Sequence, residues 1–593
     1  RTLRQLKKKS DLKNDRVKEI VKKLDKNLYV IREYTGKEGW SSKNKYRALD
    51  VEPVDEEEAK KRMVKRFIKG NGPISFSDLR YQTGFNGREI ESILSRMIHE
   101  GEVTKIQVGS SSRELYLLQD EVDILKEVSG NENEKLRILS KRDPYTRPMW
   151  AEIYSRYGDD WVFPIVKNGE VIGGIERWKM SGCIEIRHLD IDDESYLDET
   201  LEAIDEMMEY HNLEGYDIVR IGNHQNKDVS NLSEEKLSVF FDHGYKIIQG
   251  MLVKGNIIED VFQEEELRTY VLYRQKVFDG KYSDPRDALK GLKGLRSDFE
   301  LRPRVDEFYS LDWLYRRGEV YAGKMIPSYY LYALPRETSI YKAAKDVDLD
   351  SAMETVQKII NEKQPVPKRT IYHQSPYSTT RTKEAIDDLY EGLVIARDDE
   401  NRYVLTPPSE ISPWNAKKEV VKWMFENFGV FSAEKLSSYL GMDFPMAELR
   451  KILSDLVEEG LLIKGFLKKD DDTVYWMLRE GLDEISKIDF DGKFVLSTKD
   501  RLNLYFRDEI KDNFDLGTCH VVFDGPKMVS AFTAKISDGL VNVKKFEGPN
   551  KYKKTIREWA YDHNMGVRIN KKNKKKRVSD YEIRKWYEST RGI

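Results

Sequence analysis

Two short stretches far apart in the chain share a spelling. Leu139-Ser140 is followed by Asp143, and Leu496-Ser497 by Asp500. Two aspartates that met in space could divide acid and base work, one protonated and the other ionised. Equivalent places in two copies of one unit suggest a plainer reading, a turn or helix cap in which the carboxylate accepts a backbone N–H. Other reactive residues are scattered. His99, His188, His211, His224, His243, His520 and His563 form no constellation, and His373 beside Gln374 reads as a solvated loop residue. The only cysteines are Cys183 and Cys519, and no Cys/His cluster has ligand spacing, so neither a disulfide framework nor a metal site is expected. No cofactor is expected either. Asp120-Glu121-Val122-Asp123 has the Asp-Glu-x-Asp spelling of a nucleotide-hydrolysing box, but such a box needs a Gly-Lys-Ser or Gly-Lys-Thr loop for the phosphates. The Gly-Lys pairs at Gly36, Gly280, Gly323 and Gly492 are followed by Glu, Tyr, Met and Phe. The acidic stretch is therefore read as a solvated linker, and no ATPase is visible.

The echo extends well beyond five residues. Leu139 and Leu496 are 357 apart, as are Val64 and Val421 at the heads of VKRFIKGNGPISFSDL and VKWMFENFGVFSAEKL, and Tyr46 and Tyr403. Near the end of each copy the register slips to 348, between Val219 and Val567. Self-similarity at a fixed offset decides architecture before any single motif does. One copy runs from the start to about residue 265, the other from about 366 to the end.

Within each copy, apolar periodicity and turn residues predict the elements. A helix ending at Gly70, a short one from Ser77 and a third from Asn86 or Gly87 precede two strands around 104–108 and 114–118. Three helices and a hairpin predict a winged helix. A shorter pattern before it, helix 16–24 and hairpin 29–49, predicts another. The second copy offers helix 383–390 with hairpin 394–405, then a third helix at 446–457 with hairpin 462–466 and 473–477. Alternating runs turned at Asn168-Gly169 and Asp524-Gly525 predict a small antiparallel sheet or barrel. The predicted class is α+β, an internally duplicated array of winged helices with small antiparallel β-barrel or sheet domains. The expected divisions are winged helices at 1–60 and 61–125, a sheet at 126–192, a closing α/β unit at 193–265 and a mostly helical linker at 266–365. Winged helices at 366–412 and 413–484, a sheet at 485–546 and an α/β unit at 547–593 complete the chain.

Tandem winged helices followed by Leu-Ser-two residues-Asp and a small barrel resemble the AlkZ-type winged-helix DNA glycosylases and the C-terminal region of large helicase-related (Lhr-type) proteins, which contains such a module. The segment GLKGLRSDFE, Gly291 to Glu300, is similar to the family's Gly-Leu segment leading into a Gln-aliphatic-Gln or Gln-aliphatic-Asp signature. Arg296, Ser297 and Asp298 stand at those three positions, and only the final acid matches. The resemblance implies that Asp298 orients water below the anomeric carbon and stabilises positive charge on the sugar. Arg296, in place of Gln, would bind phosphate or pair with Asp298. It also implies a DNA-repair role and, for the helicase-related relatives, a motor upstream of Arg1. Residues 266–365 lack a partner in the first copy and the chain starts without Met, so a longer protein is expected.

The 101 Lys and Arg nearly cancel the 104 Asp and Glu, leaving net charge -3, so overall charge argues for no partner. Local charge does more. A winged helix presents helix and wing to DNA. On the first module Arg16, Lys22 and Lys23 lie on the helix, and its wing offers Lys37, Lys43, Lys45 and Arg47 around Trp40, a mixture suited to phosphates and base stacking. Lys571, Lys572 and Lys574 in the basic tail suit nonspecific phosphate contact. The second-copy wings are acidic, RDDENR and KKDDD, and poor phosphate binders. The expected partner is double-stranded or partly single-stranded DNA. The alternative is a noncatalytic scaffold for protein interaction or homo-oligomerisation. No run of 18 apolar residues occurs, so no membrane span is expected and the cytoplasm is the expected compartment.

Overall fold

The computed structural model describes Leu6 and residues 14–569, except for 27–29, 34–44, 49–53, 108–113, 129–134, 141–142, 144–145, 147–149, 158–161, 327–328 and single positions at 169, 181, 226, 279, 442 and 538. The chain forms two compact units that divide between Asn256 and Ile257.

In the first unit, helix Asn14–Lys26 turns Val17 and Val21 inward, and strands Val30–Glu33 and Lys45–Ala48 pair antiparallel after it. Helices Glu56–Asn71, Phe76–Thr83 and Gly87–His99 follow. The third places Ile90, Ile93, Leu94 and Met97 against Val64, Ile68 and Leu79, because residues three and four apart share a helix face. Strands Ile74–Ser75, Leu115–Leu118 and Val103–Ile106 complete the sheet in that order. The third helix starts at a reciprocal cap: Asn86 Oδ1 accepts the Glu89 N–H, and the Glu89 carboxylate accepts the Asn86 N–H, each at 3.0 Å. Asn86→Ala is expected to cost about 1 kcal/mol, read as an earlier urea midpoint for the first unit.

A small antiparallel sheet or barrel is the expectation after these helices; an open sheet forms, antiparallel except for one pair of strands. Residues 137–254 make one mixed sheet, ordered Lys246–Ile248, Met251–Lys254, Val219–His224, Ile184–Ile191, Glu170–Lys179, Val162–Lys167, Arg137–Ile138. Strands Ile184–Ile191 and Val219–His224 run parallel, which requires the long connection supplied by helix Leu197–Asn212. That helix buries Leu197, Leu201, Ile204 and Met208 in the same core as Leu136, Ile165, Ile186 and Leu252, so the division expected near residue 192 falls inside one sheet. Alternation of apolar and polar residues marks a strand but not its direction, which is why parallel pairing was missed.

The second unit begins with helices Glu264–Arg274 and Pro285–Leu292 and the short helices Asp298–Leu301 and Leu311–Arg316, then the hairpin Tyr321–Ile326 with Tyr329–Ala333. The stretch expected to be mostly helical thus contains a hairpin. Helix Ser351–Lys363 packs with helix Thr379–Glu391 and hairpin Ile395–Arg397 with Tyr403–Leu405 around Val356, Ile360, Ile386 and Leu389. Helices Pro413–Phe428, Ala433–Leu440 and Met446–Glu458 accompany a sheet ordered Val430–Ser432, Tyr475–Leu478, Leu462–Gly465. A mixed sheet closes the unit, from Lys493–Leu496 through His520–Asp524, Lys527–Ser537 and Leu540–Glu547 to Gly566–Ile569, the last pair parallel.

Candidate functional site

Asp298 sits on a corner built by its own segment. Helix Pro285–Leu292 starts at the Asp284 cap, with proline in its first turn, and stops where Lys293 takes φ 60° and Gly294 φ 129°. A side chain at Gly294 would meet the Tyr332 carbonyl at 3.2 Å in a backbone conformation that L-residues rarely adopt. Leu295 then exchanges two backbone hydrogen bonds with Tyr332, at 2.9 and 2.7 Å, fixing the segment to the hairpin. Ser297 caps helix Asp298–Leu301, and its hydroxyl donates to the Lys499 carbonyl at 3.0 Å.

Lys499 belongs to the second Leu-Ser-x-x-Asp stretch, so two motifs singled out in the sequence meet here. Asp500 caps helix Arg501–Tyr505, accepting the Leu502 N–H at 2.9 Å, and is buried in a bidentate pair with Arg304 at 2.7 and 3.0 Å. Beside it, the buried Arg501 pairs with the buried Glu300 carboxylate and donates to the Leu292 carbonyl at 2.9 Å. Arg304 also donates to the Gln275 carbonyl at 2.9 Å, and Gln275 Nε2 to the Asn427 carbonyl at 2.9 Å. Two acids and two guanidiniums are thus desolvated together, with backbone carbonyls accepting further N–H groups. Asp500 is a cap and ion-pair partner. The echo itself is a turn: Asp143 N–H donates to Ser140 at 2.8 Å and Asp500 N–H to Ser497 at 3.0 Å, and each aspartate carbonyl accepts the N–H three residues on at 3.1 Å.

Asp298 stands outside that network. It is half-buried, and one carboxylate oxygen accepts the Leu311 N–H at 2.8 Å where the next helix begins. Burial pushes its pKa above the ordinary carboxylate value, against the lowering effect of that N–H, and neighbouring Asp312 adds to the rise while Arg302 opposes it. Arg296 Nη1 donates to the Asp500 carbonyl at 3.2 Å. Phe299, the next residue, stacks on His563 with ring centroids 5.1 Å apart, and Lys499 Nζ lies 5.4 Å from the Phe299 ring centre. Such an environment supplies a carboxyl group that holds its proton more tightly than a free aspartate, a trait of carboxyls that transfer protons.

A second unusual group lies in the closing sheet of the same unit. His520 is buried between Phe532, 4.8 Å away and stacked, and Trp559, at 5.4 Å, with Nδ1 lacking a hydrogen-bond partner. Burial lowers its pKa to about 4, from about 6.5 in an unfolded chain. As pH falls the unfolded chain binds the proton first, so stability is complete above about pH 6.5 and declines toward pH 4, by about 3 kcal/mol in all. His520→Phe is expected to flatten that acid dependence, measured as urea midpoints across the window.

Of the residues assigned to nucleic acid, Arg16, Lys22, Lys23 and Arg47 are exposed in the first unit; Arg16 and Lys23 pair with Glu19 at 2.7 and 3.1 Å. Lys45 lies on the strand opposite Glu33. Lys37, Trp40 and Lys43, and Lys571, Lys572 and Lys574, lie outside the described residues. Each acidic wing of the second unit touches its own chain at the base, while Asp399, Glu400, Lys469 and Asp470 are exposed. Tyr315 donates to the Arg397 carbonyl at 2.7 Å, and residues 258–262 run along 464–468, with the Phe262 N–H on the Leu467 carbonyl at 2.7 Å. Asp120 and Glu121 form a single helical turn and Asp123 pairs with Lys126 at 3.1 Å on the next helix, an exposed arrangement. Among the described residues no group of His, Cys, Asp and Glu could hold a metal ion, and no helix is long and apolar enough to cross a membrane. Glu300, Arg304 and Gln275 escaped the sequence reading, and His520 was weighed there only as one of the scattered histidines, because nothing in their spacing signals burial.

Residues 24–208 match a family model described as DNA glycosylase AlkZ-like. The matched stretch lies in the first unit and does not include Asp298. No curated protein matches the chain. Among solved structures, Streptomyces sahachiroi DNA glycosylase AlkZ is 14% identical, with a TM-score of 0.43, over 52% of this chain and 100% of that one.

Proposed function

We propose that this chain binds DNA and excises damaged bases, hydrolysing the N-glycosidic bond with Asp298 as the catalytic carboxyl. The AlkZ-like match over residues 24–208 supports a DNA-repair reading, and the observation that carries the chemistry is the half-buried, pKa-raised Asp298 held by the Leu311 N–H. In this reading the ionised Asp298 orients water below the sugar's anomeric carbon. It takes the water's proton as oxygen bonds to that carbon and the base departs with the glycosidic electron pair. Arg296, steadied on the Asp500 carbonyl, would face a backbone phosphate. Arg16, Lys22, Lys23, Lys37, Trp40, Lys43, Lys45 and Arg47 would form the main DNA face, with the tail lysines adding nonspecific contact.

Residues up to about 265 and from about 366 onward are read as copies of one plan of winged helices and a sheet, supported by the shared order of helices, hairpin and five successive strands ending in a parallel pair. A helicase-related context follows from the same resemblance, and a phosphate-binding loop upstream of Arg1 would support it. The acidic, exposed wing tips of the second unit favour a further reading in which that unit is a noncatalytic scaffold; a solution mass above 69.6 kDa would support self-association.

The test is incubation with duplexes carrying uracil or an alkylated base, scoring binding across a salt series and abasic-site formation. Abasic product supports the enzyme. Salt-sensitive binding without product removes the base-excision assignment and leaves a DNA-binding array; absence of both sinks the reading.

A further inference from the structure

Exposed aromatic rings with guanidinium groups against them gather in one segment of the second unit, directly after Asp298. Trp313 is 42% exposed and Phe308 37%. The Arg317 guanidinium carbon lies 4.6 Å from the Trp313 ring centre and that of Arg286 5.7 Å, while Arg302 lies 4.3 Å from Phe308. Tyr309 meets Trp313 edge-on at 5.1 Å, and its hydroxyl accepts from Arg286 at 2.6 Å. Glu319 pins both flanking arginines, each at 2.7 Å, so the rings and guanidiniums are held before any ligand arrives. The helix bearing Trp313 begins at Leu311, whose N–H is the one bound by Asp298. Platform and carboxyl are therefore tied by one hydrogen bond.

We propose that Trp313, with Arg317 and Arg286, is a stacking platform for an unpaired nucleobase of a DNA strand, keeping that strand beside Asp298. The assignment rests on the DNA-repair reading above. A guanidinium plane lying on an aromatic ring continues the stack, because a base can lie on either surface while the outer N–H groups meet phosphate. Exposed Asp312, Arg316 and Arg317 flank Trp313 along the chain, so the segment is not the contiguous apolar surface that a protein partner would seek. Asp284, Asp312 and Glu319 also offset the arginine charge, with Arg316 paired to Asp312 at 2.8 Å. Attraction here comes from stacking rather than net charge, and its contribution persists as salt is raised.

The test compares the full chain's affinity for a fully paired duplex and for the same duplex with one extrahelical adenine, by fluorescence anisotropy at two salt concentrations. The wild type is expected to prefer the extrahelical base by about tenfold, at both salts, with Trp313→Ala removing the preference and Trp313→Phe keeping most of it. An unchanged preference in Trp313→Ala, or none in the wild type, overturns the platform while leaving DNA binding in place. Loss of the preference in both variants together with a lowered melting temperature assigns Trp313 a structural role and also overturns it. No binding of either duplex by the wild type overturns the platform and the DNA-repair reading together.

Discussion

Asp298→Asn is expected to lower abasic-site formation by about 100- to 10,000-fold, the range that a positioned general base supplies, with DNA binding nearly unchanged. Asparagine keeps an oxygen that can accept the Leu311 N–H, so the corner and the following helix should survive, while the group that takes a proton from water is gone. The wild-type rate should rise with pH as Asp298 ionises, with a midpoint above that of a free aspartate, because burial and Asp312 oppose ionisation. Linkage runs the opposite way for stability. A carboxyl whose folded pKa is raised favours the protonated fold, so its contribution diminishes as pH climbs from the unfolded toward the folded pKa. Asp298→Asn should therefore melt no lower than the wild type near neutral pH. Full abasic-site formation by a well-folded Asp298→Asn variant would exclude the assignment.

Arg304→Ala is expected to destabilise the second unit by about 3–5 kcal/mol, the cost of leaving a buried charge without its partner. Asp500 would lose two hydrogen bonds, at 2.7 and 3.0 Å, while remaining buried as a helix cap. The Gln275 carbonyl would also lose its donor. Arg304→Met combined with Asp500→Leu should recover part of the loss, because neither charge then needs solvation, although the cap on helix Arg501–Tyr505 is still missing. A guanidinium titration of all three variants checks this, and the double variant's departure from additivity reports the pair itself. Equal midpoints for Arg304→Ala and the wild type would show that the network contributes no net stability.

The sequence carried the local elements because their causes are local. Ile90, Ile93, Leu94 and Met97 share a helix face by spacing alone, and Asn86 with Glu89 spells its own cap. The Leu-Ser-x-x-Asp echo was legible as a turn, since its hydrogen bonds span three residues. Asp298 was legible as a candidate only through resemblance, and its position outside the AlkZ-like match leaves its role to the variant above. Strand direction was not legible: alternation is the same for parallel and antiparallel neighbours, and the crossover helices decided it. Neither was the meeting of Glu300 and Arg304 with Asp500 and Arg501, which are about 200 positions apart. A charged residue looks solvated in sequence, and only tertiary packing removes the water and supplies the opposite charge in its place.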